Sequence, residues 1–343
     1  MDDPQAIYHA AEIIRKGGIV AFPTETVYGL GADAFNALAV ARIFEVKQRP
    51  YFDPLIVHVA SPDNVEKLVK EIPSNAKKLT ERFWPGPLTV VLLKGDTIPD
   101  IVTAGLPTVA VRMPNHPMAL SLIKESRCPI AAPSANPFGY LSPTTAEHVR
   151  EQLGDRVDLI LDGGACPVGV ESTIVSFLDG KPRLLRPGGL PLEEIESVIG
   201  RVDVSPTEDR PSAPGMFPRH YAPRTPILLD WDEKSGELSK SENIGLLAFQ
   251  EAENHLKFSH VEILSKKGDM REAAANLFTA IRRLDVLNLD LILAEPIPEI
   301  GLGRAIMDRL RRASGTRFAD DSSDRSDSPD GHIENGGKES RKK

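Results

Sequence analysis

Cysteine is scarce in this 343-residue chain: Cys128 and Cys166 stand far apart and outside any Cys-x-x-Cys pair. That excludes a disulfide framework and a thiolate zinc site, and it fits a reducing compartment. Long apolar runs are missing too, since none approaches the roughly 20 residues that a membrane-spanning helix needs. The opening MDDPQAIYHA is acidic where a secretion signal would be basic, so a soluble, cytoplasmic protein is expected. Excess positive charge is also absent. The formal charge of -8 gives no overall basic field, so tight binding to nucleic acid is not expected of the whole molecule, although a local basic patch is compatible with that total. No Gly-x-x-x-x-Gly-Lys-Ser/Thr phosphate loop occurs.

What is present is ordinary globular material, 41% hydrophobic and 26% charged, in a chain long enough for two cores. Ile7, Ala10, Ala11 and Ile14 follow helical spacing, and Gly17-Gly18 ends that helix before the strand-like GIVAF. Short β-branched runs at 55–59, 88–93, 108–113, 129–134, 158–162 and 172–177 read as strands, with helical patterns at 36–47, 116–125 and 144–153 between them. Residues 1–204 are therefore expected to form an α/β domain on an open, twisted mixed sheet with flanking helices. Residues 205–226 carry six prolines and no periodic apolar pattern, as an extended linker loop does. Beyond it, PILLD, IGLLAF, VEIL and LDLILAE alternate with helical patterns at 269–284 and 301–314, which predicts a smaller Rossmann-like α/β domain over 227–318. From 319 to 343 only Ala319 and Ile333 are apolar, too little to offset ordering entropy, so a disordered tail is expected.

Several short segments could carry chemistry. AFPTETVYGLGADA (21–34) sets Thr24, Glu25 and Thr26 after a strand end and before a Gly-rich turn, the place where α/β proteins put ligand groups and also where hydroxyls cap local backbone. Lys47 and Arg49 of KQRP close a helix, either as macrodipole partners or as a phosphate site that joins a point charge to a bidentate fork. His58 lies inside the apolar LIVHV strand, where a satisfied core histidine and a site residue are both possible. Arg112 at the end of TVAVRMP needs a buried partner, either a structural carboxylate or an anionic ligand. PSAN (133–136), Ser142, ESTIV (171–175) and Arg186 of RPGG add hydroxyls, an amide and a further cation near strand ends. Neither Ser134 nor Ser172 has a histidine or lysine base nearby in sequence, which favours hydrogen bonding over nucleophilic attack. GLG at 301–303 is an incomplete dinucleotide fingerprint.

Taken in order, PTETVYGLG, Lys47-Gln48-Arg49-Pro50, PLIVH, VAVRMP, PSAN, ESTIV and RPG resemble the threonylcarbamoyl-AMP synthases of the YrdC type throughout residues 10–200. PGMFPRHYAP (214–223) and GLGRAIMDRLRRA (301–313) resemble the two-domain members, with one departure in Phe217-Pro218, where a less constrained and often basic pair is expected. The resemblance implies a nucleotidyltransferase that joins L-threonine, bicarbonate and ATP with Mg2+ and releases pyrophosphate. Its product would pass to a separate tRNA threonylcarbamoyl transferase complex, with weak or no direct tRNA binding by this acidic chain. It also implies that Lys47, Arg49, Tyr51, Thr108, Ser134, Asn136, Ser142, Arg186 and Tyr221 hold ATP, with charge stabilisation by Lys47 and Arg49 and no single catalytic residue. Thr24, His58, Arg112, Ala132 and Ser172 would surround threonine, and no protein side chain would ligate the metal. Two other readings remain: a carbamoyl-adenylate enzyme with a different acceptor, as in hydrogenase maturation, and an RNA-binding module. The first normally carries zinc-finger and acylphosphatase modules that are not evident here, and the second lacks RRM or KH signatures. The second domain shows no chemistry of its own and is expected to serve a structural or gating role, with the linker loop opening and closing over the cavity.

Overall fold

The computed structural model describes residues 4–178, 180–204, 220–229, 243–251, 258 and 260–315. The expected linker is therefore described only over 220–226, and its residues 205–219, including Phe217-Pro218, lie outside the described residues together with the expected tail at 319–343.

Strands β1 (Val20–Phe22), β2 (Gly29–Asp33), β3 (Ile56–His58), β4 (Leu88–Leu93), β5 (Thr108–Arg112), β6 (Ile130–Ala131), β7 (Leu159–Ile160), β8 (Thr173–Ser176) and β9 (Arg183–Arg186) make one mixed sheet. Its order is β7-β1-β2-β6-β3-β5-β4-β8-β9. Helices α1 (Pro4–Arg15), α2 (Ala37–Lys47), α3 (Ser74–Phe83), α4 (Asp100–Thr103), α5 (Pro117–Ser126), α6 (Ala146–Leu153) and α7 (Leu192–Ile199) flank it. The period-2 alternation of GIVAF explains the two layers. Ile19 and Ala21 face a core shared with Val57, Val90 and Val111, whereas Val20 and Phe22 face Ile7, Ile14, Met118 and Leu122 of α1 and α5.

β2 corrects one expectation, because GLGAD is a strand paired antiparallel with β1 and not a turn. A Cβ at Gly31 would lie 2.6 Å from Ile130 Cγ2 and 2.7 Å from Phe22 Cε1, so glycine permits the strand to lie against that ring. Composition suggested a turn where close approach is the reason for the glycine.

The second sheet contains β10 (Ile227–Leu228), β11 (Ile244–Ala248), β12 (His260–Ile263) and β13 (Leu291–Ala294), all parallel, in the order β10-β13-β11-β12. Helix α8 (Met270–Asp285) packs on β11 and β12, and α9 (Gly303–Ser314) packs on α8 and β10. Asp269 caps α8 by accepting from the amides of Arg271 and Glu272.

The two domains share a core. Val27, Leu141 and Val170 of the first cluster with Leu277, Phe278, Ile281 and Leu310 of the second. Gly169 adopts φ +75°, and a Cβ there would stand 2.4 Å from Ala274 O in α8, so the chain passes this helix with no room for a side chain. No described helix is long and apolar enough to cross a membrane.

Candidate functional site

The ends of β3, β5 and β9 and the loops after β1 and β6 surround a cavity. Thr24, Arg49, His58, Arg112, Ala132, Ser134, Ser172, Arg186 and Tyr221, nine of the residues singled out in the sequence, line it. Glu171 and His220 join them. Three arginines against one glutamate give the wall a positive bias in a desolvated setting, where each charge acts more strongly than in water.

Parallel pairing of β3 and β5 puts His58 directly beside Arg112. Burial, and then the Arg112 charge, push the His58 imidazole down to about 3, so it is neutral at pH 7, and its Nδ1 has no hydrogen-bond partner. Arg112 Nη2 stands 2.8 Å from Glu25 Oε2, close as an ion pair but off the direction of a hydrogen bond. The structural carboxylate left open as an alternative in the sequence is thus present, while the guanidinium still fronts the cavity. Thr24 likewise serves both of its readings: it accepts from the amides of Thr26 and Val27, donates to Val27 O at 2.6 Å, and lines the cavity.

Gln48 ends α2 in the left-handed conformation at φ 52°, which turns the chain between Lys47 and Arg49. Lys47 is fully buried, with Nζ donating to Ser134 O at 2.6 Å and to Asn136 O. Burial and the neighbouring Arg49 charge hold its ammonium well below the usual lysine range. Arg49 donates to Asp53 O and Pro54 O and pairs with Asp53 at 2.7 Å. Lys47 therefore supports the PSAN loop from behind, and Arg49 is the cation of this pair that reaches the lining.

Arg186 directs Nε and Nη2 to Ser172 O and Nη2 also to Ser172 Oγ, which is 2.7 Å from Thr89 Oγ1. Gly188 is required beneath them, since a Cβ would meet Glu171 O at 2.3 Å. Ser142 Oγ donates to Glu171 Oε1 at 2.5 Å, and Asn136 Nδ2 donates to Pro137 O and Tyr140 O. Both are buried, outside the lining, as is Thr108 at the start of β5. Tyr51 stands apart, 63% exposed and stacked on Phe44 with ring centroids 5.2 Å apart.

Tyr221 adopts φ 61° and is 1% exposed. Its ring lies 5.6 Å from that of Phe278 and 5.1 Å from the Arg309 guanidinium, both from the second domain. Its neighbour His220 is held down at about 3 by burial.

Sequence reasoning assigned no role to Asp53, Glu171, His220 or Arg309, and it named Glu25 only as a candidate ligand group beside Thr24 and not as a partner of Arg112. Three had a usable signal: a buried arginine demands a counter-charge, and Glu25, Asp53 and Glu171 sit inside or beside the same motifs. Arg309 had none, because an arginine in an amphipathic helical pattern is indistinguishable from a solvated one. Among the described residues no group of three or more His, Cys, Asp or Glu side chains stands together as a metal site.

Residues 12–188 match the family model described as telomere recombination, and residues 190–315 match the C-terminal domain of threonylcarbamoyl-AMP synthase. The chain is 48% identical to the threonylcarbamoyl-AMP synthase of Pyrococcus abyssi, over 90% of this chain and 94% of that one. It is 46% identical to the enzyme of that name from Bacillus subtilis, over 92% and 94%. A crystal structure of Pyrococcus abyssi Sua5 complexed with L-threonine superposes with a TM-score of 0.84 at 47% identity, covering 92% of this chain and 96% of that one. With both domain models matched in order and relatives aligned along nearly their full lengths, the chain belongs to the threonylcarbamoyl-AMP synthase family, in its two-domain form.

Proposed function

We propose that this protein makes threonylcarbamoyl-AMP from L-threonine, bicarbonate and ATP, releasing pyrophosphate and water, in the cytoplasm. The product would be handed to a tRNA threonylcarbamoyl transferase complex for modification of adenosine beside the anticodon. The observation that carries this reading is the arginine-lined cavity at the strand ends, in a chain whose relatives bear that enzyme name. Binding of threonine by the Pyrococcus abyssi protein supports the choice of amino acid.

The chemistry needs alignment and charge neutralisation more than a nucleophile on the protein. The threonine amine attacks the bicarbonate carbon, water leaves, and a carbamate forms. A carbamate oxygen then attacks the α-phosphorus of ATP, and the bond to the β-phosphate oxygen breaks to release pyrophosphate. Arg112 has five N–H donors, so its contact with Glu25 leaves others for the threonine carboxylate. Thr24, Ala132, Ser172 and neutral His58 line the same cavity, where hydroxyls and an imidazole nitrogen suit the threonine ammonium and hydroxyl. Arg49 and Arg186 take the phosphates, with Lys47, Thr108, Ser134, Asn136, Ser142, Tyr51 and Tyr221 completing the nucleotide site. Glu25, Asp53 and Glu171 are each paired with an arginine. Mg2+ would enter this site with ATP, without a protein ligand among the described residues, and would supply neutralisation of phosphate charge.

Pyrophosphate release, measured with each substrate omitted in turn, tests the reading. Release that needs threonine, bicarbonate and ATP together is expected. Equal release with serine, or without bicarbonate, would contradict it.

A further inference from the structure

The second domain places a charged side chain against residues that line the cavity. Arg309, on α9, is 1% exposed. Its Nε donates to Glu171 Oε2 at 2.9 Å, its Nη1 donates to Pro187 O at 2.8 Å and to Asp308 Oδ2 at 2.7 Å, and its guanidinium carbon lies 5.1 Å from the Tyr221 ring centroid. Glu171 and Tyr221 both line the cavity. With Ser142 donating to Oε1, both oxygens of Glu171 are engaged, one by each domain. Glu171 is also near enough to Arg186 to feel its charge, yet Arg186 aims Nε and Nη2 at Ser172.

We infer that Arg309 is a positioning residue for the nucleotide-binding wall: it holds the Glu171 carboxylate toward α9, so that this acid does not close on Arg186, and it seats the Tyr221 ring. The inference rests on the proposed placing of nucleotide phosphates at Arg186. An arginine suits the task because one planar fork can grip a carboxylate and a backbone carbonyl while presenting its face to an aromatic ring. Lysine supplies the charge alone. Burial disfavours charge on both partners; Arg309, Arg186 and the Ser142 hydrogen bond more than reverse this for Glu171, whose carboxyl is driven down to about 2, while Tyr221, Glu171 and Asp308 hold Arg309 further up. An uncompensated Glu171 would therefore seek the next cation, and Arg186 is among the charges that act on it. Asp308, which also pairs with Arg312, holds Arg309 from behind. Thus the second domain contributes to the electrostatics of a cavity that the first domain builds.

The test measures equilibrium binding of a non-hydrolysable ATP analogue and, separately, of threonine to the full chain. Four proteins are needed: wild type, Arg309→Gln, Arg309→Lys, and Arg309→Gln combined with Glu171→Gln. Arg309→Gln should weaken the ATP analogue roughly tenfold, the scale of one lost charge-assisted hydrogen bond, with threonine affinity within about twofold of wild type. Arg309→Lys should fall between, at about threefold. The double variant should recover most of the loss, because Glu171→Gln leaves no charge at that position to direct at Arg186. Equal weakening of both ligands, unchanged analogue affinity, or a double variant no better than the single would overturn the inference. Should thermal melting show Arg309→Gln to be unfolded, unchanged analogue affinity in a folded Arg309→Lys would overturn it equally. A wild-type chain that binds no ATP analogue would instead refute the functional reading beneath it.

Discussion

Buried charge is distributed differently in the two domains. In the first, Lys47 at the end of α2, Arg49 and Asp53 in the segment after it, and Arg112, Glu171 and Arg186 from more distant strands and loops gather around a cavity. In the second, the buried charges among the described residues, Asp308, Arg309 and Arg312, lie on the single helix α9, and Arg309 crosses to the first domain. Ions removed from water are tolerated only when paired, so each buried set reveals what it was assembled to meet. The first set pairs across loops and fronts open space. The second pairs within a helix and addresses the first set. The domains are therefore unequal partners in one site.

The largest break of this contrast should come from Arg112→Ala, which leaves Glu25 buried without its cation. A loss of about 3–5 kcal/mol in unfolding free energy is expected, with threonine binding reduced by more than about 100-fold. Denaturant titration and calorimetry check the two effects. Lys47→Ala should weaken ATP and leave threonine binding nearly intact.

Gly169→Val should come next, acting on the contact between domains and leaving the cavity residues in place. The added atoms meet backbone of α8 in a conformation that disfavours any side chain, and a cost of about 2–3 kcal/mol is expected. Differential scanning calorimetry should then resolve two transitions where wild type shows one. A single transition would show that the shared core tolerates the strain.

A third, smaller effect is pH-dependent. His58 and His220 are held near 3 in the folded chain, below the ordinary imidazole value of about 6.5. The unfolded chain thus takes up protons first, so their contribution is complete above about pH 6.5 and declines as pH falls toward 3. Glu171, depressed to about 2, adds a loss only below about pH 4.5. His58→Gln should flatten stability between pH 7 and 5, and denaturant midpoints at those values measure it. The smallest effect is expected from Tyr51→Ala, within about 0.5 kcal/mol in stability, because the ring is exposed.

Much of this was visible in the sequence where a pattern had one physical cause. The alternation of GIVAF and the spacing of Ile7, Ala10, Ala11 and Ile14 fix which face is buried, and α1 and β1 form at those places. The strands at 88–93 and 244–248 appear where β-branched and leucine runs were read. GLGAD was misread because glycine serves turns and close packing alike, and only Phe22 and Ile130 distinguish them. In the site, the cations were legible as charges at helix and strand ends, but their partners were not. Glu171 meets Arg309 across 138 positions of chain, and no local pattern encodes such a pair.

The central claim is that the arginine-lined cavity condenses threonine, bicarbonate and ATP in one product. Incubating the full chain with ¹³C-bicarbonate, L-threonine, ATP and Mg2+, followed by mass spectrometry of the nucleotides, tests it most directly. The account predicts a threonine–carbamoyl–AMP adduct carrying one ¹³C, formed together with pyrophosphate. AMP or ADP without the labelled adduct would contradict it.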